Sequence, residues 1–203
     1  MGDPAPGVSP FKNEYDELDP QLGWSGTEEI VYSKYSFDKV GKKLVLTANP
    51  SSLVVSGIDV KAFAQGLLSA PPTGGVPRLR DPNANPRRPS ALDILVEKRC
   101  YVVIELDEGM DWQFRMSGPG LTTKARYGAA NGGIRYVEAD GEITGNKAPK
   151  RPGCRILYFS VMARGSKYES QYFNLHVDMA QPSGAPIEVS IDPDIPNNGG
   201  GIP

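Results

Sequence analysis

Side-chain alternation with a period of two runs through most of this chain. In "CYVVIELDEGMDWQFRM", Cys100, Val102, Ile104 and Leu106 fall on one side of an extended segment, with Tyr101, Val103, Glu105 and Asp107 on the other. Trp112, Phe114 and Met116 resume the pattern beyond Gly109. Rows of this kind are buried by packing sheets face to face. Strand-like text recurs at 29–37, 43–48, 52–57, 121–128, 133–145, 154–165, 168–179 and 186–192, punctuated by Gly41, Asn49–Pro50 and Asp140–Gly141.

The pattern predicts an all-β domain, a two-sheet antiparallel sandwich of about eight or nine strands, immunoglobulin-like or jelly-roll-like. The Cys…Trp…Cys spacing of a true immunoglobulin domain is missing, because Trp112 follows Cys100 too closely. "CRILYFSVMARG" is apolar on both faces and reads as a central strand. Two hairpins are expected, one through "LDEGMD" and one joining 154–165 to 168–179. One short helix is expected within 58–70, capped by Asp59, with Phe63 and Leu67 on one face and Pro71–Pro72 ending it.

Glycine (23) and proline (19) are clustered, which divides the chain into an extended acidic arm (1–27), a sandwich domain (28–192) and a glycine-rich tail (193–203). Within the domain, 71–90 forms a long basic loop. Cys100 and Cys154 are too few for a disulfide framework or a cysteine zinc site, and are expected as buried free thiols.

The chain has a single histidine, which excludes within one chain any site needing two or three of them. In "FNLHVDM", His176 shares the outward face with Asn174 and Asp178, which makes it an ordinary surface residue of a strand. No G-x-S-x-G accompanies it. The glycine-rich runs "SGPGLTTK" and "GAANGGIRY" contain neither GK[ST] nor G-x-G-x-x-G, so they read as turns rather than nucleotide loops. "SFDK" lies at a strand end without the companion motifs of serine–lysine acylases.

Carboxylates gather at Glu105, Asp107, Glu108 and Asp111, an acidic hairpin tip that also suggests glycoside chemistry. Asp107, Asp111, Asp192 and Asp194 are the calcium candidates, though no EF-hand loop is present. Tyr32, Tyr101, Tyr127, Tyr136, Tyr168 and Tyr172 would suit a sugar or peptide groove. Acids dominate both ends of the chain, whereas Arg78, Arg80, Arg87 and Arg88 make the long loop basic and mark it as an interaction surface.

The net charge of −2 calls for neither nucleic acid nor an anionic membrane. No apolar run approaches the ~20 residues of a membrane span, and the amino terminus lacks a basic start followed by an apolar stretch. The expectation is therefore a cytoplasmic protein, or part of a particle assembled in the cell. Its predicted role is that of a non-enzymatic structural or interaction sandwich with no cofactor, engaged with a protein partner or with copies of itself. A carbohydrate- or calcium-binding module and a carboxylate hydrolase are the alternatives.

Overall fold

The computed structural model describes residues 15–16, 24–40, 43–48, 51–79, 94, 96–124, 132–145, 147–161, 170–181, 184–191 and 194–196, with side chains from Trp24 onward except at 38–51, 79, 124, 170–172 and 194–196. Fourteen strand segments and one helix follow in chain order: β1 (Tyr15–Asp16), β2 (Glu29–Val40), β3 (Lys43–Ala48), β4 (Ser51–Val55), α1 (Val60–Gly66), β5 (Val76–Leu79), β6 (Cys100–Leu106), β7 (Trp112–Phe114), β8 (Leu121–Lys124), β9 (Arg135–Val137), β10 (Ile143–Gly145), β11 (Ile156–Val161), β12 (Ser170–Met179), β13 (Ile187–Ile191) and β14 (Asp194–Pro196). The expected two-sheet sandwich is present. The strand count exceeds the expectation because β1, β5 and β14 fall within the expected arm, loop and tail.

The larger sheet runs β10-β9-β11-β6-β2-β4-β5, with β3 also on β2. The smaller runs β1-β8-β12-β13, with β7 and β14 also on β12. In the larger sheet, β3 and β4 lie successively along one side of β2. In the smaller, β7 and β8 flank β12 on one side, and β13 and β14 on the other. β2 and β6 pair in parallel, from Glu29 against Cys100 to Tyr35 against Leu106.

The main core lies between the sheets and follows the alternation. Val31 and Tyr35 of β2, Val102 and Ile104 of β6, and Leu157 and Phe159 of β11 meet Phe114, Phe173, Leu175 and Val177 of the opposite sheet. β11 is buried throughout, as its two apolar faces require, because α1 covers the outer face of the larger sheet. There Val60 and Ala64 close a second core over Ile30, Tyr32, Val103, Val137, Ile156 and Tyr158, with Phe63 and Leu67 packed against it. The molecule is thus a sandwich with a partial third layer. The helix is two turns long and begins at Asp59, whose carboxylate accepts from the Lys61 and Ala62 amides.

Two pairings differ from expectation. "LDEGMD" does not close a hairpin, since β6 pairs with β2 and β11, and β7 with β12 in the other sheet. The segment instead carries the chain from one sheet to the other. Likewise β11 pairs with β6 and β9, not with β12. The Asp140–Gly141 hairpin forms as expected, joining β9 to β10, with Gly141 at φ 85°. Cys100 and Cys154 are buried free thiols. Burial pushes the Cys154 thiol up to about 12, with Glu138 nearby adding to the effect.

Candidate functional site

The outer face of the larger sheet is not wholly covered by α1. Cross-strand register places Arg135 beside Tyr158 and Ser160 beside Tyr101. These side chains floor a groove with α1 on one side and the 24–26 turn at one end. Its nearer compartment, about 300 Å³, is lined by Trp24, Gly26, Asp59, Lys61, Tyr101 and Arg135, among others. Its farther compartment, about 700 Å³, extends past Gln65 to Glu142, Thr144 and Gly145. Lys61, Arg135 and Tyr158 line both.

The near end is built on a turn fixed by charge. Glu28 accepts from the amides of Ser25 and Gly26, each at 2.9 Å, and pairs with Arg99 at 2.9 Å. Burial pushes the Glu28 carboxyl up, but these hydrogen bonds outweigh it and hold it below the usual carboxylate range. Arg99 lies over the Trp24 ring, 4.0 Å from its centroid. Trp24 in turn meets Tyr101 at 5.0 Å, and Tyr101 meets Tyr158 edge-on at 6.2 Å.

Gly26 joins this turn to the helix, its carbonyl accepting from the Val60 amide at 2.8 Å. Its φ is 88°, and a β-carbon there would stand 3.0 Å from Asp59 Oδ2, so both conformation and space demand glycine. Burial raises the Tyr101 hydroxyl and pushes Tyr158 up to about 12, so both present neutral phenols at physiological pH.

The far wall is held by Glu138, which is wholly buried. It accepts from Thr144 Oγ1 at 2.7 Å and from the amides of Lys150 at 2.8 Å and Arg151 at 3.2 Å. Gln65 of α1 reaches the Gly141 carbonyl at 2.7 Å and ties the helix to the β9–β10 hairpin.

The residues singled out from the sequence lie elsewhere. Glu105 is buried beneath the Tyr32 hydroxyl and Lys34, both at 2.6 Å. Asp107 Oδ1 has no hydrogen-bond partner among the described residues, while Glu108 pairs with Arg155 at 2.5 Å. Asp111 is exposed. No group of three metal-binding side chains occurs among the described residues. Asp192 lies outside the described residues, and only the backbone of Asp194 is described, in β14. Arg78 pairs with Glu29 at 2.9 Å and with Glu97 at 3.2 Å inside its own chain. Arg80, Arg87 and Arg88 lie outside the described residues.

Of the six tyrosines, Tyr101 lines the groove and Tyr32 packs on Phe63 of α1. Tyr136 is buried in the main core, its hydroxyl accepting from the Gly120 amide at 2.6 Å. Tyr127, Tyr168 and the Tyr172 side chain lie outside the described residues.

His176 is more than an ordinary surface residue, contrary to the expectation from alternation. It does face outward, but it is half-buried, with Nε2 2.8 Å from Thr122 Oγ1 and Nδ1 2.9 Å from Ser190 Oγ. Burial, reinforced by Arg115, pushes its pKa down to about 4. Asp178 does not orient it, because that carboxylate accepts from the Met116 amide at 3.0 Å. Lys61 and Arg135, the two cations that converge in the groove, are marked by no motif. Their only signal is position, Lys61 next to the buried Val60 of α1 and Arg135 opposite Tyr158 on the outer face of β9.

No helix among the described residues is long and apolar enough to cross a membrane. No curated protein matches the chain. Residues 61–200 match a family described as predicted novel nucleotide synthetase. That match overturns the expected non-enzymatic structural or interaction sandwich, along with its immunoglobulin-like interaction character and its binding-module and hydrolase alternatives. Alternating strands specify a scaffold and say nothing about the chemistry carried on its outer face.

Proposed function

The chain belongs to the predicted novel nucleotide synthetase family, and on that premise we propose that it is an enzyme of nucleotide synthesis whose nucleotide occupies the groove beside α1. The observation that carries this reading is the convergence of aromatic surfaces and cations in one depression. Trp24 and Tyr101 offer flat apolar surface for a base at the near end, and Lys61 and Arg135 stand where its phosphates would lie. Stacking of a base on an aromatic side chain is worth about 1–3 kcal/mol, and a charged hydrogen bond to phosphate about as much. Together they are worth about 2–6 kcal/mol, which supports recognition in the millimolar to sub-millimolar range without a glycine-rich phosphate loop, in keeping with the absence of such a motif.

The test is calorimetric titration of the protein with nucleoside mono- and triphosphates, followed by mass spectrometry of reaction mixtures for a newly joined nucleotide. Lys61→Ala and Arg135→Ala are each expected to weaken nucleotide binding about tenfold or more, the equivalent of ~1.4 kcal/mol. Unchanged binding in the double variant would remove the groove from consideration.

A further inference from the structure

The strand β11, "ILYFSV", is buried throughout, yet it carries one serine among apolar and aromatic residues. Ser160 and Tyr158 stand two residues apart on its outer face, about 6.5–7 Å along the strand. They are 5% and 3% exposed, and both line the near compartment. Neither hydroxyl has a hydrogen-bond partner among the described residues. The neighbouring phenols are engaged, Tyr101 with the Gly26 backbone and Tyr32 with Glu105 at 2.6 Å. A polar side chain without a partner is costly in an interior. Alanine or valine would pack in this strand without that cost, and the cavity is where a partner can enter.

Resting on the assignment of the near compartment to a nucleotide, we propose that Ser160 and Tyr158 are its specificity-determining residues. Their hydroxyls bind the hydrogen-bonding edge of the base, while Trp24 and Tyr101 hold its face.

The register supports this placement. Ser160 is the direct cross-strand partner of Tyr101, and such partners hold their β-carbons about 4.5–5.5 Å apart. The Tyr101 ring meets Trp24 at 5.0 Å and Tyr158 at 6.2 Å. A base lying against Trp24 and Tyr101 therefore turns an edge toward the two hydroxyls. The Gly132 amide donates to the Ser160 carbonyl at 2.8 Å and fixes the backbone beneath that edge. Each hydroxyl can donate or accept, and burial keeps the Tyr158 phenol protonated, its pKa pushed up to about 12. Two neutral groups of this kind suit the carbonyl, ring nitrogen or amino group of a base. A base without such an edge would leave them unsatisfied, and sites of this type reject such analogues.

Calorimetric titration of the full chain provides the test. The four common nucleoside monophosphates are compared with purine riboside and pyrimidin-2-one riboside monophosphates. These two analogues keep ring, sugar and phosphate but lack the exocyclic polar group at C6 or C4. The natural nucleotide that binds best is expected to bind about tenfold more tightly than its analogue. Ser160→Ala and Tyr158→Phe should each shrink that ratio about threefold or more, by weakening the natural ligand and leaving the analogue's affinity in place. A purely structural disturbance would weaken both ligands alike and leave the ratio unmoved. A wild-type ratio near one, or a ratio unchanged in both variants, would overturn the proposal with the nucleotide reading intact. Absence of binding by every nucleotide and analogue would overturn both.

Discussion

Glu138 has no exposed surface, yet it serves three donors from two segments. Replacing it with alanine would leave those donors unpaired in the interior, at about 1–3 kcal/mol for a stranded group. Glu138→Ala is expected to lower unfolding stability by roughly 2–4 kcal/mol, measured by urea denaturation. Glu138→Gln, which keeps an acceptor, should lose less.

His176 gives a pH signature. Its folded pKa of about 4 lies below the ordinary value of 6.5, so the unfolded chain binds the extra proton first. Its contribution is complete above pH 6.5 and is lost as pH falls toward 4. The melting temperature should drop across that window, and His176→Gln should flatten the drop. Of the charged groups packed around it, Arg115 strengthens the effect by lowering the pKa further, and Glu188 tempers it by raising it. At this scale the sequence was legible for direction but not for neighbourhood. Alternation correctly put His176 on the outer face, but its two hydroxyl partners sit on β8 and β13, at a distance along the chain.

Among the elements, α1 was legible nearly whole. Asp59 states its start and the Phe63–Leu67 spacing the side that packs on the sheet, while the helix ends at Gly66, ahead of the proline pair, and Val60 and Ala64 are its fully buried residues. Its role as a third layer was hidden, because Val103 and Val137 look like ordinary strand residues until a helix is laid over them. Ala64 is fully buried at that contact. Ala64→Leu is expected to cost about 1–3 kcal/mol by overpacking, seen as a lower denaturation midpoint. Because α1 also carries Lys61, the same variant should weaken nucleotide binding. The two mistaken hairpins share a cause. Segments close in sequence usually pair, but here 107–111 changes sheets, and both edges of β11 are occupied by β6 and β9, leaving none for β12. Local turn chemistry cannot show which of two sheets a strand will join.

Across the whole molecule, the fold class was readable from patterning alone, whereas the activity was not. The chain's two tryptophans offer a direct check on where ligand binds. Trp112 is buried in the main core, with its indole N–H on the Asp107 carbonyl at 2.8 Å, and Trp24 lines the groove. A bound nucleotide should quench the Trp24 emission and leave that of Trp112 alone. Trp24→Phe is therefore expected to abolish the quench, as measured by fluorescence titration, and Trp112→Phe to retain it.

The parallel contact between β2 and β6 sets a schedule for synthesis. Its two strands are separated by β3, β4, α1 and β5, so the helix is looped out across the sheet as the second strand docks. On a ribosome, Trp24 and Lys61 emerge long before Arg135 and Tyr158, and β11, which lies between β6 and β9, is the last of those three to emerge. A nascent chain halted ahead of Ile156 would carry the helix and its lysine without Tyr158 and Ser160, the part of the groove floor that β11 supplies.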